Sequence, residues 1–274
     1  MASKTWFITG CSTGFGHVLT EELLKTDANI VATARNPASL SGLKGERLLV
    51  LPLDVTKPET ISSAVSAAKE KFGRVDVLVN NAGYGMMGAM EESDLEDTRR
   101  MFETNVFGLI QVTQAVLPLM RAQKSGYIVN MSSAAGMLAT AGFAMYNGTK
   151  FAVEGISEAM ALEVAHMGIK VTIIEPGPFR TDFLSRSLDT QPAIADYAAS
   201  VGKAREAFGA MDGKQPGDPV KAAHIIIDLA SEPNPPLRQP LGHSAFDRIS
   251  AKVNALQDNL VRVEAVARSA DFTK

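Results

Sequence analysis

The sequence predicts an α/β fold: a doubly wound parallel sheet in a single domain over residues 1–274. Three observations lead there. Short apolar runs alternate six times with segments of helical period. The fourth run, at residues 75–83, is apolar almost without interruption until its end, as strands buried on both faces of a parallel sheet are. And the runs end in glycine, asparagine, serine or an acid, which right-handed crossovers would gather along one edge of the sheet. Ligands bind outside that edge in such folds.

The elements follow in order. Residues 5–9 read as a buried first strand that stops at a glycine-rich turn, Gly10-Cys11-Ser12-Thr13-Gly14-Phe15-Gly16, with a helix beyond it. Strand, glycine turn and helix together form a dinucleotide-binding signal: glycines let the backbone approach a pyrophosphate, and the helix N-terminus offers free amides. The spacing is Gly-x-x-x-Gly-x-Gly rather than Gly-x-Gly-x-x-Gly. Cys11 stands near a helix N-terminus, where a thiolate is favoured, but a small side chain in a tight loop is the simpler reading. Residues 29–34 form a second strand with Arg35 just past its end, where an acid would select NAD. Arginine suits a 2′-phosphate instead, so NADP(H) is the expected cofactor.

Residues 48–55 form a third strand ending in Asp54 and Val55, with Asp54 placed to accept from an adenine amine or to cap the helix at 58–72. The fourth strand ends in Asn80, Asn81, Ala82 and Gly83, where amides can stitch loops together and Gly83 permits close approach. Residues 94–120 are two helical segments, and Asn105 between them is unfavourable by propensity. Residues 126–133 form a fifth strand ending in two serines. A helix from Ala144 to about Met167 follows, then a sixth strand at 169–175 closed by Pro176, Gly177, Pro178, Phe179, Arg180 and Thr181. Residues 182–213 are polar and irregular, as a substrate lid is. Residues 218–230 are a helix, 236–241 a short edge strand, and 244–267 a final helix. Ile249, Val253, Leu256, Leu260 and Val263 share one stripe of that helix, available to the body or to another subunit.

Tyr146 and Lys150 are four residues apart and share a helical face. An ammonium beside a phenol favours the phenolate, so the pair can serve as a proton donor and acceptor for an alcohol or carbonyl. Methionines 86, 87, 90, 137 and 145 offer an adaptable apolar wall.

Composition bounds the rest. The chain is 46% hydrophobic and 21% charged, ordinary for a globular protein with a sizeable core. A net charge of -3 gives no reason to expect nucleic acid or an anionic membrane as partner. One cysteine excludes an internal disulfide framework. The four histidines show no ligand spacing, so no metal is expected. The N-terminus has no signal-peptide pattern, and no apolar run nears the ~18 residues of a membrane span, which points to the cytoplasm.

In these motifs the chain resembles the short-chain dehydrogenase/reductase family, in its compact single-domain branch. The resemblance rests on Thr9-Gly10-x-x-x-Gly14-x-Gly16, Asp54, residues 80–83, Asn105, Ser133, Tyr146-x-x-x-Lys150 and Pro176-Gly177, and runs from about Thr5 to Thr181. It implies a Rossmann-type fold and a catalytic tetrad. Tyr146 would be the acid/base, and Lys150 would lower its pKa and hold the nicotinamide ribose. Ser133, rather than Ser132, would hold the substrate oxygen, and Asn105 a proton-relay water. Thr181 and the backbone near Phe179 would hold the carboxamide. The implied activity is NADP-dependent hydride transfer to or from a ketone, aldehyde or secondary alcohol. The alternative is a non-catalytic NADP(H)-sensing regulator on the same fold. Thr13 departs from the basic residue of many NADP-using relatives. The C-terminus lacks the Val-Asp-Gly-Gly type of tail, which weakens the case for a tetramer, though a homo-oligomer (dimer or tetramer) is expected. The pattern is most similar to the steroid and retinol dehydrogenase-like subgroup with its bacterial carbonyl reductases.

Overall fold

The computed structural model describes residues 3–272. Its first half runs β1 (Thr5–Ile8), α1 (Gly14–Leu24), β2 (Asn29–Ala34), β3 (Leu48–Pro52), α2 (Pro58–Phe72), β4 (Val77–Asn80), β5 (Gly85–Met87), α3 (Leu95–Phe102), α4 (Gly108–Gln123) and β6 (Gly126–Met131). Then follow α5 (Ala144–Val164), β7 (Ile169–Pro176), α6 (Phe183–Arg186), β8 (Leu188–Thr190), α7 (Lys203–Met211), α8 (Pro219–Leu229), β9 (Arg238–Leu241) and α9 (His243–Arg268).

Seven strands make one parallel sheet in the order β3-β2-β1-β4-β6-β7-β9. The strand order reverses between β1 and β4, and this switch point opens a crevice at the carboxyl ends. Alternate side chains of each strand point to opposite faces. On one face Trp6, Ile8, Ile30, Val77 and Val79 pack with Leu19 and Leu23 of α1 and Ile226 and Leu229 of α8. On the other, Phe7, Val31, Leu78 and Ile128 pack with Ile61 and Val65 of α2, Val112 and Val116 of α4, and Met160 and Val164 of α5. Both faces are thus covered, as the continuous apolar runs require.

The seventh strand is the edge strand expected near 236–241, now placed beside β7. Pro240 is tolerated there because an edge strand has a free side. Between α3 and α4 the backbone widens into a π-helical turn at Glu103–Phe107, with Asn105 inside it. Such turns cluster at functional positions, and this one answers why an asparagine sits there.

Residues 182–213 are more ordered than their composition suggests. β8 pairs in parallel with β5, away from the main sheet. Glu92 accepts from the backbone amides of Ala89 and Ile194, both at 2.7 Å, and from Arg205 Nη2 at 2.6 Å. The segment is therefore fastened to the loop that follows β5. In α9 only Ala245 and Ile249 are buried; Val253, Leu256 and Leu260 of the stripe face outward.

Candidate active site

The crevice holds a cleft of about 910 Å³. Along it lie Gly10, Ser12, Thr13, Gly14, Phe15, Arg35, Asp54, Val55, Asn81, Ala82, Gly83, Ser133, Tyr146, Lys150, Pro176, Gly177, Phe179 and Thr181. Every residue expected at the site lines this one cleft except Gly16 and Asn105, which stand behind its wall.

The glycine turn fits a dinucleotide for reasons visible in its packing. Gly10 and Gly14 have φ of +70° and +62°, which disfavours any side chain. A Cβ on Gly16 would lie 2.5 Å from Asn81 Nδ2 and 2.6 Å from the Gly10 carbonyl oxygen. Asn81 Nδ2 donates to the carbonyls of Thr9 and Gly10, both at 2.9 Å, so the β4 end holds the turn in shape. Thr13 is the N-cap of α1 but its side chain caps nothing, which leaves the first-turn amides for an anion. Arg35 is exposed at one end of the cleft. Asp54 accepts from the Thr56 amide at 3.0 Å and its hydroxyl at 2.7 Å, so it shapes the turn before α2 as well as lining the cleft.

Cys11 is the small side chain of a tight loop and not a thiolate. It is fully buried, its Sγ donates to the Ile8 carbonyl at 3.3 Å, and burial pushes the thiol up to about 11. Desolvation outweighs the helix N-terminus, and the residue stays a thiol.

Tyr146 and Lys150 lie one turn apart on α5, both buried. Their electrostatics differ from the simple expectation. Burial pushes the Tyr146 phenol up to about 12, and of its neighbours the Ser133 hydroxyl pulls it back a little. Lys150 does not, because its Nζ donates to the Met131 carbonyl at 2.7 Å and lies 5.8 Å from the Tyr146 ring centroid. Burial also brings Lys150 down to about 8, opposed by Glu154. The pair as it stands is a neutral phenol beside an ammonium that is close to losing its proton.

Ser133 caps the turn at Ala134–Gly136, accepting from the Ala135 amide at 3.1 Å. Asn105 commits its side chain to the loop after β4: Oδ1 accepts from the Tyr84 amide at 3.0 Å and Nδ2 donates to the Tyr84 carbonyl at 2.8 Å. Its side chain fixes the loop carrying Gly83 and Tyr84. Asn147 braces the opposite rim, donating to the carbonyls of Ala135 at 2.7 Å and Leu138 at 2.8 Å.

The far end of the cleft is aromatic. Phe143 stacks edge-on with Phe208 at 4.8 Å and with Tyr146 at 6.1 Å, and Phe183 lies 5.8 Å from Tyr146. Met86 and Met87 pack behind these rings with Met145. Met137 packs under α9 instead, and Met90 points outward. Sequence reasoning missed Phe143, Phe183 and Phe208. Phe143 had a signal, standing one turn before Tyr146; the other two come from the segment at 182–213 and had none.

The comparisons agree with this geometry. The family model "short chain dehydrogenase" matches residues 4–192. Oxidoreductase BOA17 of Botryotinia fuckeliana is 39% identical over 249 residues, covering 89% of this chain and 91% of that protein. A short-chain dehydrogenase from Streptomyces avermitilis superposes with a TM-score of 0.92 at 39% identity, covering 98% of this chain and 100% of its own. The structure of ElxO with NADP bound has a TM-score of 0.74 at 28% identity, covering 90% and 100%. Glycine turn, amide bracket, Tyr–Lys step and matched relatives converge: the chain is an oxidoreductase of the short-chain dehydrogenase/reductase family.

Proposed function

We infer that the chain is an NADP-dependent reductase or dehydrogenase that interconverts a ketone or aldehyde and its alcohol, with Tyr146 as general acid/base. The observation that carries this is the meeting of Ser133, Tyr146 and Lys150 in the same cleft as the glycine turn and Arg35. NADP(H) bound along the turn would supply the hydride. The uncapped amides of α1 would hold the pyrophosphate, and Arg35 the 2′-phosphate. Pro176, Gly177, Phe179 and Thr181 border the place of the nicotinamide.

The protein's own residues then manage charge and proton. Ser133 and Tyr146 donate to the substrate oxygen as negative charge develops on it. Tyr146, held as a neutral phenol, has a proton to give in reduction, and the Lys150 ammonium would hold the nicotinamide ribose. Phe143, Phe183 and Phe208 exclude water from this step and favour an apolar substituent on the carbonyl carbon.

The test is NADPH oxidation against a panel of aliphatic, alicyclic and aromatic ketones and aldehydes, with Tyr146→Phe beside the wild type. Turnover of apolar carbonyls that Tyr146→Phe lowers by about 10²–10⁴-fold is the expected result. NADPH binding without turnover of any compound would favour the regulatory alternative, and equal activity in Tyr146→Phe would refute the role of the phenol.

A further inference from the structure

Behind Lys150, away from the cleft, lies a group of charges that the reaction as described does not use. Glu154 is one turn beyond Lys150 on α5, and Glu175 stands near the end of β7; they are 4% and 1% exposed. Arg238, from β9, meets both. Its Nε donates to Glu154 Oε2 at 3.0 Å and lies 3.6 Å from Glu175 Oε1. Its Nη2 donates to Glu158 Oε2 at 2.6 Å at the surface end of the group. The buried hydroxyl of Ser132 lies beside Glu154, and both oxygens of Glu175 have no hydrogen-bond partner. A Cβ on Gly136 would lie 2.5 Å from Ser132 Oγ and 2.9 Å from Glu154 Cγ, so the glycine makes room for this carboxylate.

Burying carboxylates is costly, and buried ion pairs often add little to stability. A sheet edge of this kind could be closed with apolar side chains. The group's position instead matches the charge problem of the site: Lys150 is buried, donates to one neutral carbonyl, and must keep its proton to be useful. The charge that acts on Lys150 is that of Glu154 from α5; Glu175 from β7 and Arg238 from β9 stand around Glu154, and Glu158 lies at the exposed end of the group. From the end of β6 come only neutral hydroxyls, Ser132 and Ser133, and the Tyr146 phenol shares its helix.

We propose that Glu154 is a positioning residue for Lys150: its carboxylate, one turn along α5 and held by Arg238 with Glu175 beside it, keeps the ammonium charged inside the site. The proposal takes Lys150 as part of the Tyr146 machinery. Glu154 touches neither the cleft nor a reacting atom and acts through Lys150 alone. Two independent features of the geometry agree with it. The helical step from Tyr146 to Lys150 repeats from Lys150 to Glu154, so the three share a face of α5. Arg238 meets Glu154, Glu158 and Glu175 at once, so one cation is shared among three carboxyls.

The experiment follows Lys150 directly. The 13Cε–1Hε signal of Lys150, assigned by its loss in Lys150→Met, is titrated with pH in the wild-type protein without added cofactor. Glu154→Gln is expected to lower the Lys150 midpoint by about one pH unit. Glu154→Asp keeps the charge but draws it back by one methylene, and gives a smaller shift in the same direction; it serves should Glu154→Gln fail to fold. Glu158→Gln, which removes a charge from the exposed end of the same group, leaves the midpoint in place. The alkaline limb of alcohol oxidation moves with the Lys150 midpoint in each variant. An unmoved midpoint in the Glu154 variants, an equal shift in Glu158→Gln, or a shifted midpoint with an unmoved alkaline limb overturns the proposal. Absence of turnover in the wild type, or full activity in Tyr146→Phe, would instead strike the catalytic reading, and the titration needs neither.

Discussion

Glu175 carries a large and measurable pH dependence of stability. Its carboxyl is 1% exposed at the end of β7. Burial first, then the Glu154 charge, push it from 4.5 up to about 7, with Arg238 pulling it back. A carboxyl raised on folding stabilises the protein while it is protonated, below about 4.5, and that stability is lost as the pH climbs through about 7. At ~1.4 kcal/mol for each pH unit, the ionised folded state is penalised by roughly 3 kcal/mol. Glu175→Gln keeps the shape and removes the titration. Near pH 5 the variant and the wild type should differ little. At pH 8 the variant should be more stable by up to roughly 3 kcal/mol, which for unfolding entropy of about 2.1 cal/mol/K per residue over this chain is a melting temperature about 5 °C higher. Thermal unfolding followed by circular dichroism at pH 5, 6, 7 and 8 reads this. Two melting curves that run parallel over the whole range, or a variant that is less stable at pH 8, would refute the reasoning: Glu175 would then be charged at little cost, with Arg238 neutralising it.

Three further outcomes follow from single contacts. Gly16→Ala puts a Cβ 2.5 Å from the Asn81 amide and 2.6 Å from the Gly10 carbonyl, so it should open the glycine turn and weaken NADPH binding at least ~10-fold by fluorescence titration, while a fold change below twofold would show that the turn can give. Arg35→Ala should raise the KM for NADPH by about 10-fold or more and leave that for NADH within about twofold, as befits a charge-assisted contact to the 2′-phosphate; equal effects on both cofactors would remove Arg35 from that role. Glu92→Gln should loosen the segment at 182–213, since it removes the charged partner of Arg205 and of two backbone amides. Faster hydrogen exchange in β8 and α7, with exchange in β1 and β4 unchanged, is the expected pattern. The same loosening should appear in the wild type only in acid, because the amides of Ile194 and Ala89 hold the Glu92 carboxyl below the usual range, and the clamp is lost as the pH falls through that lowered value.

What could be read from the sequence is what is local or periodic. The strands at 5–8 and 77–80 announce themselves because burial on both faces demands unbroken apolar residues. The glycine turn is legible because positive φ at Gly10 and Gly14 restricts the residue type, and Tyr146 and Lys150 because four residues is one helical turn. β5 and β8 were not legible: three residues each leave no period to detect, and their pairing is decided by the fold around them. The environment of a charge was not legible either. Spacing alone suggests that Lys150 drives Tyr146 toward phenolate, but the Met131 carbonyl holds the ammonium and burial governs the phenol. Whether a neighbour or the loss of water dominates depends on distances that no spacing encodes.

That distinction bears on how the site is built. An ammonium brought down to about 8 by burial is a poor guarantor of positive charge, and a phenol at about 12 is a poor base. Both burdens come from burial, and a low-dielectric setting also strengthens every contact made to a developing charge. The fold answers the first burden one turn further along α5, with Glu154, Glu175 and Arg238 contributed by three elements that meet where β7 and β9 pair. The edge strand that closes the sheet thus also places the cation that organises the carboxylates behind Lys150. Any change that displaces β9, Pro240 included, should therefore reach the site through charge before it reaches it through shape.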